Sequence, residues 1–215
     1  MATTVMKIAV IGVGMVGGPL SEMWARAGHQ VFISSRHPEE LVAPKNGHKG
    51  SVLEAVQFAD VILLAIPFGA TRKLDDEVKA KMRGKVVIDA NNAWERRDGP
   101  DAIEAKSTGF GTGLWTASII PEARVVKAFN TWPFFRMRIR PGEPNQPAVP
   151  VAADDEEAGR IGMQLVHDAG LEGILLPGGL AAAARFDTGT DIGPNSELTR
   201  SEILERLGLT DNSDL

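Results

Sequence analysis

From Lys7 onward, short apolar, β-branched runs alternate with stretches whose apolar residues recur every three or four positions, the rhythm of strands interleaved with helices. The pattern predicts strands over Lys7–Ile11, Gln30–Ser34, Val61–Ile66, Lys85–Asp89, Arg124–Ala128 and Ala148–Ala152, each bounded by turn residues. Their near-continuous apolar character, as in VILLAI, belongs to parallel strands covered on both faces, because a half-exposed strand would alternate. A helix is predicted over Met15–Ala27, with Val16, Leu20, Met23 and Ala27 as its core stripe and Gly28 as a left-handed cap. Pro19 falls in or just past its first turn, where a missing N–H costs least. A second helix over Asp155–Ala169 opens on the Asp154 to Glu157 capping-box spacing and closes at Gly170. The implied class is α/β, a doubly wound, mostly parallel sheet with helices on both faces.

After the last long strand the rhythm fades. The stretch Arg136–Pro150, with prolines at 141, 144, 147 and 150, reads as a loop. The end of the chain offers two modest helices, Leu180–Arg185 and Leu198–Leu207. Residues 1–178 are therefore expected to form one nucleotide-binding domain, and residues 179–215 a short helical C-terminal segment that either covers the site or contacts a second copy in a homodimer.

Composition narrows the function. The 215 residues are 43% hydrophobic with a formal charge of -5, enough for one core and without the basic surplus of a general nucleic-acid binder. A small-molecule partner is expected. With no cysteine, disulfides, thiolate metal sites and cysteine nucleophiles are excluded together. The first apolar run, Ile8–Val13, is too short to cross a bilayer and lacks the flanks of a signal peptide, so no membrane association and a cytoplasmic location are expected.

The chemistry begins at the first strand-to-helix turn. Gly12, Gly14 and Gly17 place G-x-G-x-x-G directly after a predicted strand and at the opening of a predicted helix, the context of a Rossmann-type dinucleotide site. Gly12 makes the turn, Gly14 lets a pyrophosphate approach, and Gly17 lets helix and sheet close together. Met15 and Val16 add backbone N–H groups at the helix start, where an anion is favoured. At the end of the second strand an NAD enzyme normally carries an acid for the ribose 2′-hydroxyl. Here stand Ser34, Ser35 and Arg36, hydroxyls and a guanidinium suited to a 2′-phosphate, so the expected cofactor is NADP(H). The next residue, His37, is open to contact with the adenine, contact with the 2′-phosphate, or solvent.

Later strand ends should line the nicotinamide half of the crevice: Ile66-Pro67-Phe68, Asp89-Ala90-Asn91-Asn92 and Phe129-Asn130-Thr131. His29, His48 and His167 lack a partner at metal-ligand spacing and read as structural or solvated, and no metal site is expected. Asp89 reads as the anchor of the ANN turn. Trp94, Trp115 and Trp132 suit a core better than an acceptor site, Trp132 being the best placed to stack because it follows a strand end.

In order and spacing, IAVIGVGMVGGPL, SSRHPEE, ADVILLAIPF, VVIDANN, VVKAFNTW and PVAADDEEA resemble the NADPH-dependent coenzyme F420 (deazaflavin) reductases and the dinucleotide-binding oxidoreductases around them, which include the cytosolic domain of the STEAP metalloreductases. The resemblance spans about residues 7 to 178. It implies hydride transfer from NADPH to a flavin-like acceptor, F420 or a flavin, with no dedicated catalytic residue. It also implies roles by position. Gly12, Val13, Gly14, Met15 and Val16 would hold the pyrophosphate, and Ser35 with Arg36 the 2′-phosphate. Ala65, Ile66 and Pro67 would flank the nicotinamide ribose with Asn91 nearby, and Ala128 and Asn130 would meet the carboxamide. The stretch Ala181–Leu215 departs from the deazaflavin reductases, which leaves the acceptor open. Two other readings stand beside this one. One is a non-catalytic NADP(H)-binding sensor or partner module. The other is an imine or pyrroline-carboxylate-type reductase, whose longer helical C-terminal domain this chain is too short to hold.

Overall fold

The computed structural model describes residues 4–107, 109, 111–133, 135 and 147–210. Among them, eight strands form one sheet: β1 (Lys7–Ile11), β2 (Gln30–Ser34), β3 (His48–Gly50), β4 (Val61–Leu64), β5 (Val86–Asp89), β6 (Arg124–Lys127), β7 (Val149–Ala153) and β8 (Gly173–Leu175). Their order is β3-β2-β1-β4-β5-β6-β7-β8. All pairings from β3 to β6 are parallel, β7 is antiparallel to β6, and β8 is parallel to β7. This is the Rossmann-type sheet that the alternation of elements predicts. Chain order reverses between β1 and β4, and the exits of those strands diverge into a crevice.

The apolar strands explain the two layers of helices. Ile8, Val10, Val61 and Leu63 project into one core, while Ala9, Ile11, Ile62 and Leu64 project into the other. The first core is covered by α1 (Gly17–Arg26), through Leu20, Met23 and Trp24, and by α7 (Glu156–Asp168), through Leu165 and Val166. Trp24 locks these helices together, its Nε1 donating to the Leu165 carbonyl at 2.8 Å. The second core is covered by α2 (Val52–Phe58) and α3 (Asp76–Lys81), with Ala55, Val56 and Val78 facing inward. After β5 come α4 (Glu95–Asp98), α5 (Pro100–Ser107) and α6 (Gly111–Ile119).

Several boundaries differ from the sequence expectation. The first helix begins at Gly17, with Val16 as its N-cap, because the glycine turn uses the residues before it. The fourth strand stops at Leu64, leaving Ala65 and Ile66 in the crevice rather than in the sheet. The α7 cap is one residue later than predicted: Asp155 accepts the Ala158 N–H at 2.7 Å, and Asp154 instead accepts the N–H of Leu180 at 2.8 Å. Two adjacent acids leave that register ambiguous in sequence, and a distant tertiary donor settles it. The edge strands β3 and β8 were not expected, since HKG carries no apolar signature and GIL is three residues long. Most of the proline-rich stretch falls outside the described residues.

The C-terminal part forms a 3-10 stretch, Gly179–Phe186, where a helix was expected, and α8 (Arg200–Leu207), capped by a Thr199 and Glu202 box. Phe186, Ile203 and Leu204 build a third core against Ala152, Ile174 and Leu176. Among the described residues no helix is long and apolar enough to cross a membrane.

Candidate functional site

The crevice opens on the glycine turn. Gly12 adopts φ +97°, which favours glycine, and its N–H donates to the Ser34 carbonyl at 2.8 Å, so the chain turns sharply while tied to β2. A Cβ on Gly12 would stand 2.3 Å from the Ala65 carbonyl oxygen, and one on Gly17 would stand 2.0 Å from that of Gly12. These two glycines serve the fold. Gly14 differs, because nothing lies within 4 Å of where its Cβ would be. Its neighbour Met15 is 67% exposed. The chain's own packing therefore does not demand glycine at position 14, and the loop has a bare outer side that a large ligand can approach. No side chain caps the start of the ten-residue α1; Pro19 has no N–H and that of Gly18 is donated to the Gly14 carbonyl at 3.1 Å, so the N–H groups left to favour an anion are those of the turn just before, at Met15, Val16 and Gly17.

At the end of β2 the expected trio separates. The Ser34 side chain is fully buried, with its hydroxyl unpartnered. Ser35 is at the rim, its Oγ accepting the His37 N–H at 3.1 Å. Arg36 is exposed and, among the described residues, makes no ion pair or side-chain hydrogen bond. His37, Glu39 and Glu40 bring their ligand atoms within 4.8 Å of one another on the following turn, but all three are exposed and enclose nothing.

The other half of the crevice is a cleft of about 370 Å³. The expected residues Met15, Val16, Ala65, Ile66, Pro67, Asn91 and Asn130 line it. Ala128 does not: it is fully buried one layer below, its N–H donated to the Asp89 carbonyl. The cleft also takes Ala90, Asn92, Trp94, Arg97, Trp132, Pro194 and Asn195.

A buried network fixes the three strand ends relative to one another. Asn91 Oδ1 accepts the Ile66 N–H at 3.0 Å, and its Nδ2 reaches Thr71 Oγ1 at 3.3 Å. Asp89 anchors the ANN turn as expected, accepting the Asn91 N–H at 2.9 Å. Its other oxygen accepts from Thr116 Oγ1 at 2.7 Å and from Lys127 Nζ at 3.1 Å. Lys127 also donates to the Asn91 carbonyl at 2.5 Å. Asp89 and Asn91 are legible from their strand end, whereas Thr71 and Thr116 lie outside every motif singled out in the sequence.

Beyond β6 the backbone is strained. Phe129 takes φ +63°, rare for a bulky residue, and its buried ring meets Trp24 edge-on at 5.8 Å. The next three residues carry buried polar atoms without partners: Asn130 Oδ1, Thr131 Oγ1 and Trp132 Nε1. Asn130 and Trp132 line the cleft, with their unpartnered atoms, an acceptor and a donor, buried in its wall. A primary carboxamide needs one of each. The opposite wall comes from the C-terminal part. Asp187 holds the Thr112 N–H at 2.7 Å and its hydroxyl at 2.5 Å, Thr188 donates to the Ala93 carbonyl, and the Asn195 N–H donates to the Thr131 carbonyl.

Of the tryptophans, Trp132 and the half-exposed Trp94 face the cleft, while Trp115 packs on Phe68 with ring centroids 4.2 Å apart. The histidines lie elsewhere. His29 is buried, accepting the Met6 N–H on Nδ1 and facing Asp168 Oδ2 at 3.0 Å through Nε2, a structural tie across 139 residues. His48 packs on Phe32 and Phe58, and His167 is exposed. Sequence reasoning missed Arg97, Pro194 and Asn195. Arg97 lies within a turn of the ANN strand end, a usable signal, whereas the Pro-Asn pair reaches the cleft only through tertiary folding.

Residues 7–93 match the family described as NADP oxidoreductase, coenzyme F420-dependent. Over 141 residues the chain is 32% identical to an F420-dependent NADP reductase of Methanothermobacter marburgensis, covering 58% of this chain and 63% of that protein. The match thus spans less than two thirds of that relative. A hypothetical protein from Sinorhizobium meliloti superposes with a TM-score of 0.74 at 24% identity, covering 88% of this chain and 93% of that one. A candidate F420-dependent NADP reductase from Arthrobacter sp. FB24 superposes with a TM-score of 0.70 at 21% identity, covering 95% and 96%. At these identities the two structures show a shared fold.

Proposed function

We propose, from the match of residues 7–93 to the coenzyme F420-dependent NADP oxidoreductase family, that this chain is an NADP(H)-dependent oxidoreductase that exchanges a hydride with a small flavin-like acceptor, a deazaflavin or a flavin. The observation that carries the reading is the cleft itself. It runs from the bare Gly14 turn to two buried, unpartnered polar atoms on Asn130 and Trp132.

In this reading the backbone N–H groups of the glycine turn, at Met15 and Val16, receive the pyrophosphate, while Ser35 and Arg36 receive the 2′-phosphate. Asn130 Oδ1 and Trp132 Nε1, buried in the cleft wall without partners among the described residues, supply an acceptor and a donor for the carboxamide through a small side-chain shift toward the cleft. Asn91 holds Ile66 and Pro67 against the ribose through the Ile66 N–H. When bound, NADPH supplies the hydride. Among the described residues the lining includes no histidine or carboxylate, which fits a protein that aligns two rings and excludes water. Residues 179–210 belong to the same working unit, because Pro194 and Asn195 form one wall of the cleft.

The test is NADPH oxidation against a panel of oxidised deazaflavin, flavins, quinones and ferric chelates. The reading expects turnover with at least one flavin-like acceptor and little with NADH as donor. NADPH binding without turnover on any acceptor would replace it with the sensor reading.

A further inference from the structure

Among the described residues, Arg97 is the only ionisable one lining the cleft. It is fixed there by bonds on one side of its guanidinium. Nε and Nη2 contact the Asp98 carboxylate at 2.9 to 3.2 Å, and Nη2 also donates to the Asn92 carbonyl at 2.5 Å. Asp98 lies behind it with its side chain 2% exposed, accepting the N–H groups of Trp94 at 2.9 Å and Gly69 at 3.2 Å. Burial alone would raise the Asp98 carboxyl, but the Arg97 fork and these N–H donors outweigh it and hold the group below the usual carboxylate range.

Arg97 Nη1 makes no bond to the described residues, and the arginine side chain is 46% exposed. A guanidinium anchored on two nitrogens and open on the third loses little freedom when it binds a ligand. Because the balancing carboxylate is buried behind it, a molecule in the cleft meets the positive end of the pair. Beside it stands Trp94, a large aromatic left 44% exposed at the rim of a cleft. The glycine-turn residues already suit the pyrophosphate, so Arg97 is not needed to hold that group.

We infer that Arg97 and Trp94 form an acceptor subsite, selecting a planar aromatic acceptor that carries an acidic group, with Trp94 against the ring and Arg97 Nη1 on the acid. This rests on the proposed hydride-transfer reading, whose acceptor it narrows from any flavin-like ring to an anionic one. Arg97 acts as a specificity-determining residue and takes no part in moving the hydride.

The experiment measures binding to the NADP⁺-loaded protein by quenching of tryptophan fluorescence. It uses two pairs that differ by one acidic group: FMN with riboflavin, and 1,4-naphthoquinone-2-sulfonate with 1,4-naphthoquinone. The absence of cysteine removes quinone addition to thiols as a complication. In at least one pair the acidic member should bind about tenfold tighter or more. Arg97→Gln should erase that preference, Arg97→Lys should retain part of it while sparing the Asp98 pair, and Trp94→Leu should weaken both members alike. Equal binding within both pairs, no binding of any probe, or loss of NADPH affinity in Arg97→Lys would overturn the subsite. Charge-selective binding without NADPH oxidation would leave the subsite standing and remove the hydride-transfer reading. Oxidation without charge selectivity would do the reverse.

Discussion

Lys127 Nζ lies 3.1 Å from Asp89 Oδ2 with both side chains wholly out of solvent, on neighbouring strands and in register. The ammonium also holds the Asn91 carbonyl, so one buried charge pair sets the relative positions of the strand ends that make the cleft. Lys127→Met would strand the Asp89 carboxylate, and it should destabilise the fold by about 3–5 kcal/mol. Replacing both, as Lys127→Met with Asp89→Asn, should recover a substantial part of that loss. Urea unfolding of the single and double variants measures both, and a double variant no more stable than the single one would contradict the pairing.

Gly14 and Gly17 should respond in opposite ways to the same added methyl group. At Gly14 a Cβ enters open space, so Gly14→Ala should leave stability near wild type while weakening NADPH by about tenfold, roughly 1.4 kcal/mol. At Gly17 a Cβ would collide with the Gly12 carbonyl, and the overpacking should cost about 1–3 kcal/mol of stability or more. Thermal melts beside NADPH titrations separate the two effects.

Much of the site is legible because a parallel sheet delivers every strand's carboxyl end to one edge, so the loops after β1, β4, β5 and β6 could be assigned to one crevice from order alone. Met15, Ile66, Asn91 and Asn130 meet there for that reason. Ser34 and Ala128 show the limit of the argument. Both stand at strand ends, yet both side chains turn into the layers below, since sequence position fixes the strand end and not which face a residue presents. Asn195 and the His29 to Asp168 tie depend on contacts across distant parts of the chain, for which a single sequence holds no periodic signal. The strand β3, His48, Lys49 and Gly50 at the sheet edge, is likewise a product of pairing with β2 rather than of local propensity.

Acid should weaken the cleft through Asp98. Its folded-state pKa is depressed, so its contribution is fully present above the ordinary aspartate range near about 4 and is lost as pH falls through the lower folded value. Asp98→Asn should therefore be less stable than wild type at neutral pH, with the gap narrowing below about pH 4. Denaturant midpoints across that range check the sign, and a gap that widens on acidification would contradict it.

The central claim is that the β1 to α1 turn and the end of β2 hold NADP(H), with Arg36 reading the 2′-phosphate. Calorimetric titration of NADPH and NADH into wild type and Arg36→Ala tests it most directly. The account predicts that wild type prefers NADPH, and that the substitution costs NADPH about 1–3 kcal/mol while barely affecting NADH. Equal weakening of both cofactors, or a wild type that binds NADH as tightly as NADPH, would contradict it.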